Sequence, residues 1–281
     1  MWAFDALILI TVVGVEARAL YGAAAVIGSL ITYPIALSIG LYPRLLAGGG
    51  RKEIETIIKT TYLFALPMAA GAIVYAESFL TILNPAYIPA KTILTLIAVT
   101  AFFACFSSIL DTVIYGLEKV DLAGKLTFRE LLKSNFFRLP TIWYLLSSAY
   151  LPIVYIVTSY ASYDPIKGTL RFVAVNLVFT LIGVVIRYRI SRRVIHYAIP
   201  KDLFKYLAAT LVMAAILYLL PAPKRIITTF SAVSFGAIIY FGTLVLIDPE
   251  TRGLIRFVLF RAKKKLKALI LKVTFGMVNL P

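Results

Sequence analysis

From Ala19 to Pro43 the chain runs 25 residues without one charged side chain. As a helix rising about 1.5 Å per residue, such a run is long enough to cross the ~30 Å hydrocarbon core of a bilayer. It then stops at Tyr42-Pro43-Arg44, passes Gly48-Gly49-Gly50 and enters a mixed-charge segment at Arg51. An aromatic ring and an arginine at the end of an apolar run are what a membrane–water interface selects. The proline weakens the last turn, and the glycines let the backbone reverse. Glycines followed by Arg51-Lys52 faintly resemble a phosphate-binding loop, but the GK[ST] ending and the preceding strand are both missing.

The run is not isolated. Of 281 residues 61% are apolar and only 15% charged, with a mean hydropathy of +0.91. Soluble domains are about a quarter charged. No compact soluble core of this length hides so much apolar surface, whereas a bilayer solvates it. One Cys (Cys105) and one His (His196) exclude a disulfide framework and a Cys/His metal cluster.

The expected fold is therefore all-α, a polytopic membrane bundle of about eight spans, read at 3–15, 19–43, 60–78, 92–116, 139–162, 170–188, 206–223 and 226–247. The first is too short to span and carries Asp5, so it reads as the outer half of a helix whose beginning is missing. It has neither the basic start nor the small-residue cleavage site of a signal peptide. In the span at 170–188, Arg171 and Arg187 flank a charge-free centre and are expected to snorkel to the two interfaces.

With these spans the connections alternate sides, and the basic residues separate sharply. One side receives Arg44, Arg51, Lys52 and Lys59, then Lys119, Lys125, Arg129, Lys133 and Arg138. It also receives Arg187, Arg189, Arg192, Arg193, Lys201 and Lys205, and the eight from Arg252 to Lys272. The other side receives Arg18, Lys91, Lys167, Arg171, Lys224 and Arg225. A split of 23 to 6 makes the richer side cytoplasmic and puts the C-terminus there, in a multi-pass protein of the cell membrane. A missed or invented span would invert this bias midway along the chain.

Two basic pieces read as amphipathic. Leu122, Leu126, Leu131 and Leu132 recur at helical spacing among Lys125, Arg129 and Lys133, and residues 251–281 carry an apolar stripe opposite a lysine-rich face. Such helices lie on anionic membrane surfaces. Membrane lipids, not nucleic acid, are the expected partners, because the basic residues follow every connection on one side instead of forming one face. No linker or repeat divides residues 1–250, which read as one membrane domain followed by the basic tail.

Charges and helix breakers at membrane depth carry the functional expectations. Prolines 34, 43, 67, 140 and 152 fall in or at the ends of spans, where breaks either line cavities or are static kinks. Asp5 and Asp111 sit deepest and are cavity candidates. Glu16 and Arg18, two residues apart at the outer turn, suit a local charge pair. Arg138 opens a span from the basic side, where it would meet a ligand phosphate near a helix N-terminus. For Glu77 and Arg138 alike, the stronger reading is an interfacial place. The loop carboxylates Glu118, Asp121, Glu130, Asp164 and Asp202 are scattered, with no Asp-x-Asp pair, so neither catalysis nor a cofactor is expected.

The order of short motifs resembles the polysaccharide-biosynthesis flippases of the multidrug/oligosaccharidyl-lipid/polysaccharide exporter superfamily. Asp5, Gly14, Tyr21, Ala24 and Tyr42-Pro43-Arg44 are similar to that family's Asp-bearing helix, turn and Tyr-Pro-Arg helix end. Leu66-Pro67, Glu77, Asn84 to Tyr87, and Ala90 follow in register, as do Ile114 to Lys119 and Ile247 to Arg252. The resemblance implies a transporter that moves a lipid-linked oligosaccharide between leaflets by alternating access of two helical lobes. It covers only the later part of such proteins, so it implies one C-terminal lobe, with an N-terminal lobe supplied elsewhere. Two alternatives stay open: a cation-coupled small-molecule exporter using Asp5 and Asp111, and a fragment that does not transport.

Overall fold

The computed structural model describes residues 2–118, 132, 134–160, 163–197, 200–249 and 252–253. Helix is the only regular structure among them. In chain order the helices are α1 (Trp2–Ile8), α2 (Val15–Leu30), α3 (Ala36–Ile39), α4 (Leu41–Leu46), α5 (Arg51–Val74) and α6 (Ala76–Leu83). They continue as α7 (Lys91–Leu117), α8 (Asn135–Ser159), α9 (Pro165–Val194), α10 (Asp202–Leu219) and α11 (Ile226–Ile247). Six described helices are long and apolar enough to cross a membrane, and a bent pair over Val15–Leu46 makes a seventh. Phe4–Val13 is apolar but shorter. The chain is a multi-pass helical membrane protein. The basic tail and most of the segment from Lys119 to Lys133 lie outside the described residues.

The span expected at 19–43 is broken at Pro34: α2 and the segment Tyr33–Leu46, which opens with a short 3₁₀ turn at Tyr33–Ile35, meet at 40°. Pro34 has no N–H to give the preceding turn. The backbone tightens there: Ile31 N–H donates to the Gly28 carbonyl and Thr32 N–H to that of Ser29, each at 3.1 Å. The Ile35 N–H turns to the Thr32 carbonyl at 2.9 Å, which frees the Ile31 carbonyl. The buried Cys105 thiol of α7 donates to that oxygen at 3.3 Å. The lone cysteine thus repairs a helix break.

Other boundaries moved because hydropathy marks depth and says little about where backbone hydrogen bonding starts. α5 begins at Arg51, well before the expected residue 60, since its first turns are polar but good helix formers. It ends at Val74, and Glu77 falls in the separate α6. α9 runs from Pro165 to Val194 and extends past both ends of the expected 170–188. The Asp164 side chain caps it by accepting from the Ile166 and Lys167 N–H groups at 3.0 Å. The expected span at 226–247 coincides with α11.

The triglycine turn works as its sequence indicates. Gly48 takes a positive φ of 95° and the Gly49 N–H returns to the Arg44 carbonyl at 2.9 Å. The Gly50 N–H, at the start of α5, is taken by the Glu53 carboxylate at 2.8 Å.

Helices α7 and α9 form the most extensive pair, with α2 and α8 against α9 and with α5 linking α7 to α10 and α11. One apolar core joins Leu41, Ile58, Ile109, Val113, Tyr206 and Tyr240 at the basic side. A second joins Leu20, Ala24, Leu94, Tyr150 and Phe172 toward the other end. Outward-facing Phe204, Ile227, Phe230, Ile238 and Leu246 are exposed, as lipid-facing side chains are. Small residues set close approaches: a Cβ on Gly236 would stand 2.8 Å from Leu217 Cδ1.

Candidate functional site: a polar seam at membrane depth

Asn176, Thr180, Gly183 and Arg187 stand at i, i+4, i+7 and i+11 on α9, hence on one face. That face meets α7, α2 and α8. Arg187, at one end of it, donates from Nε to Asp111 Oδ1 at 2.7 Å. Its guanidinium lies 4.0 Å from the Trp143 ring centroid, a cation–π contact from α8. Gly183 makes room one turn away, since a Cβ there would stand 2.7 Å from Arg187 Nη1. The arginine is sealed, with a side chain 4% exposed, whereas the Asp111 side chain is 29% exposed. The charge that water or a ligand can reach is the carboxylate.

This corrects the expected position of Arg187. It does not snorkel to an interface; Asp111 and Trp143 hold it inside the bundle, because its helix face points at α7 and α8.

Eleven residues away, about 16 Å along the helix axis, Asn176 anchors the other end. Its Nδ2 donates to Tyr150 Oη at 3.4 Å, and Tyr150 donates to Asp5 Oδ1 at 3.1 Å. Asp5 is buried and Tyr150 fully so. Asn176 also lines a crevice of about 190 Å³ with Tyr21, Ser29, Thr32 and Thr100. Ser29 and Thr32 flank the broken helix, so the break borders the crevice. Helix interruptions at membrane depth are tolerated where they line such cavities.

Asp5 and Asp111 thus fall on the seam. Glu16 and Arg18 do not: among the described ion pairs none joins them, Glu16 is exposed, and Arg18 lies 5.8 Å from the Tyr21 ring centroid. Arg138 lies apart, in a crevice between the start of α8 and the end of α9. Glu77 pairs with Lys91 at 3.3 Å on an exposed surface, which matches an interfacial place. Among the described residues, no three His, Cys, Asp or Glu side chains converge as metal ligands.

Three further features were not anticipated. At the basic end, Lys59 of α5 pairs with Asp202 at 2.6 Å, and Lys205 bridges Asp202 and the buried Asp248 at 2.7 and 2.9 Å. That cluster ties α5, α10 and the end of α11. Glu118 caps α8 across the chain, accepting from Asn135 and Phe136 N–H groups at 2.6 and 3.1 Å. Between α5, α10 and α11 there is also an apolar crevice of about 310 Å³, walled by Phe64, Pro67, Met68, Met213, Phe230 and Phe241 among others.

Together these features define a helical membrane protein with a polar seam and a separate apolar crevice. Comparison with known protein families, with curated proteins and with solved structures yields no match.

Proposed function

We propose that the chain is the C-terminal lobe of a transporter that moves lipid-linked oligosaccharide across the cytoplasmic membrane by alternating access. An N-terminal lobe closes the opposite side of the substrate path, and the C-terminus lies in the cytoplasm. The observation that carries this reading is the break at Ile31–Pro34 beside the polar crevice of Ser29, Thr32, Thr100 and Asn176. Interrupted spans line substrate sites in secondary transporters, and polar residues buried in a membrane mark pathways. The hydroxyl and amide groups suit a sugar, and the apolar crevice against α11 suits a hydrocarbon tail.

A second reading is favoured by one contact. The hydrogen-bond partner of Asp5 is the uncharged Tyr150 phenol, as a carboxylate that binds a coupling cation would have. In that reading the protein is a cation-coupled small-molecule exporter.

The test is reconstitution of the protein, with any chain that co-purifies, into liposomes holding a fluorescent lipid-linked oligosaccharide. Flipping is read by exposure of the fluorophore to an impermeant quencher. The flippase reading predicts exposure above protein-free liposomes, slowed about tenfold by Asp111→Asn, equivalent to about 1.4 kcal/mol on the barrier. Exposure equal to protein-free liposomes, together with gradient-driven efflux of a small cationic dye, would replace it with the exporter reading.

A further inference from the structure

At the arginine-rich end, a crevice of about 530 Å³ opens between the first turns of α8 and the last turn of α9. Its polar wall is Asn135, Arg138, Thr141 and Arg193, and its apolar wall includes Ile142 and Ile190. Arg138 and Arg193 come from different helices, both from the ends of membrane spans, where headgroups lie. Among the described ion pairs neither guanidinium has a carboxylate, and no carboxylate lines the crevice. The contrast with Arg187, which is fully engaged by Asp111, is direct. The first α8 N–H groups are already taken by Glu118, so the crevice attracts anions through its two side chains and not through the helix terminus.

Two guanidiniums that have no carboxylate among the described ion pairs give the crevice the positive charge that attracts a phosphate. An apolar wall running from them into the membrane suits acyl chains, which a free ion lacks. We propose that this crevice is a binding site for an anionic phospholipid, its phosphate held by Arg138 and Arg193 and its acyl chains along Ile142 and Ile190. The site is independent of the transported substrate and stands whether or not the flippase reading does. It would hold one anionic lipid against the α8–α9 pair.

The experiment is native mass spectrometry of the full chain in detergent with phosphatidylglycerol or phosphatidylcholine added. The expected result is selective retention of one phosphatidylglycerol. Arg138→Gln and Arg193→Gln should each weaken it about fivefold, as an interfacial basic residue contributes. Arg138→Lys should retain most of the binding, which separates lost charge from misfolding. Arg189→Gln, exposed on α9 outside the crevice, should leave binding unchanged. Equal retention of phosphatidylcholine, or unchanged binding in an Arg138→Gln/Arg193→Gln double variant, would overturn the proposal. So would displacement of the lipid by millimolar inorganic phosphate, which would make it a free-phosphate site.

Discussion

The two ends of the seam bury a carboxylate in opposite ways. Asp111 has a full cationic partner and stays open, its side chain 29% exposed; Asp5 has only a phenol and is sealed, at 7%. Charge compensation allows one acid to stay partly exposed, while the other rests on a hydrogen-bond chain through Tyr150 to Asn176. The Asp111 carboxylate is thus suited to meeting a ligand, whereas the Asp5–Tyr150 link holds α1 against α8 beside the crevice that Asn176 lines.

The largest expected effect comes from breaking the ion pair. Asp111→Leu leaves the sealed Arg187 without a counter-charge and should lower stability in detergent by about 3 kcal/mol. Arg187→Met should cost less, because the stranded Asp111 is the more exposed partner. Equal losses, measured by thermal unfolding of each variant, would mean that the two members are equally buried. Tyr150→Phe removes two hydrogen bonds at the closed end and should cost about 1.5 kcal/mol. It should leave translocation less affected than Asp111→Asn does; a larger loss of transport would reverse the roles given to the two ends. Gly183→Ala should cost about 1 kcal/mol, since the added methyl meets a guanidinium already fixed by Asp111 and Trp143. No loss would mean that Arg187 is free to move.

Much of the fold was legible because apolar runs in a membrane protein report depth directly. The runs at 92–116 and 226–247 fall on α7 and α11 nearly residue for residue. Pro34 was visible as a breaker, but not that Cys105, 74 positions beyond Ile31, donates to the Ile31 carbonyl that the break releases. Asp5 and Asp111 stood out as charges among apolar neighbours. Their partners did not. Tyr150 is an uncharged residue 145 positions from Asp5. Arg187 closes a charge-free run and so resembled an interfacial residue; run length gives depth but not which neighbour a face meets. The spacing Asn176, Thr180, Gly183, Arg187 was the signal that could have shown the seam, since it sets two polar groups and a glycine on the arginine's own face.

A substrate path along this seam requires that water reach it at membrane depth. It is tested by Thr100→Cys, in a Cys105→Ser background, labelled with a membrane-impermeant thiol reagent and compared with lipid-facing Ile238→Cys. A wet seam gives labelling at position 100 and none at 238. An unlabelled position 100 in folded protein would make the seam dry, and a dry seam carries no substrate.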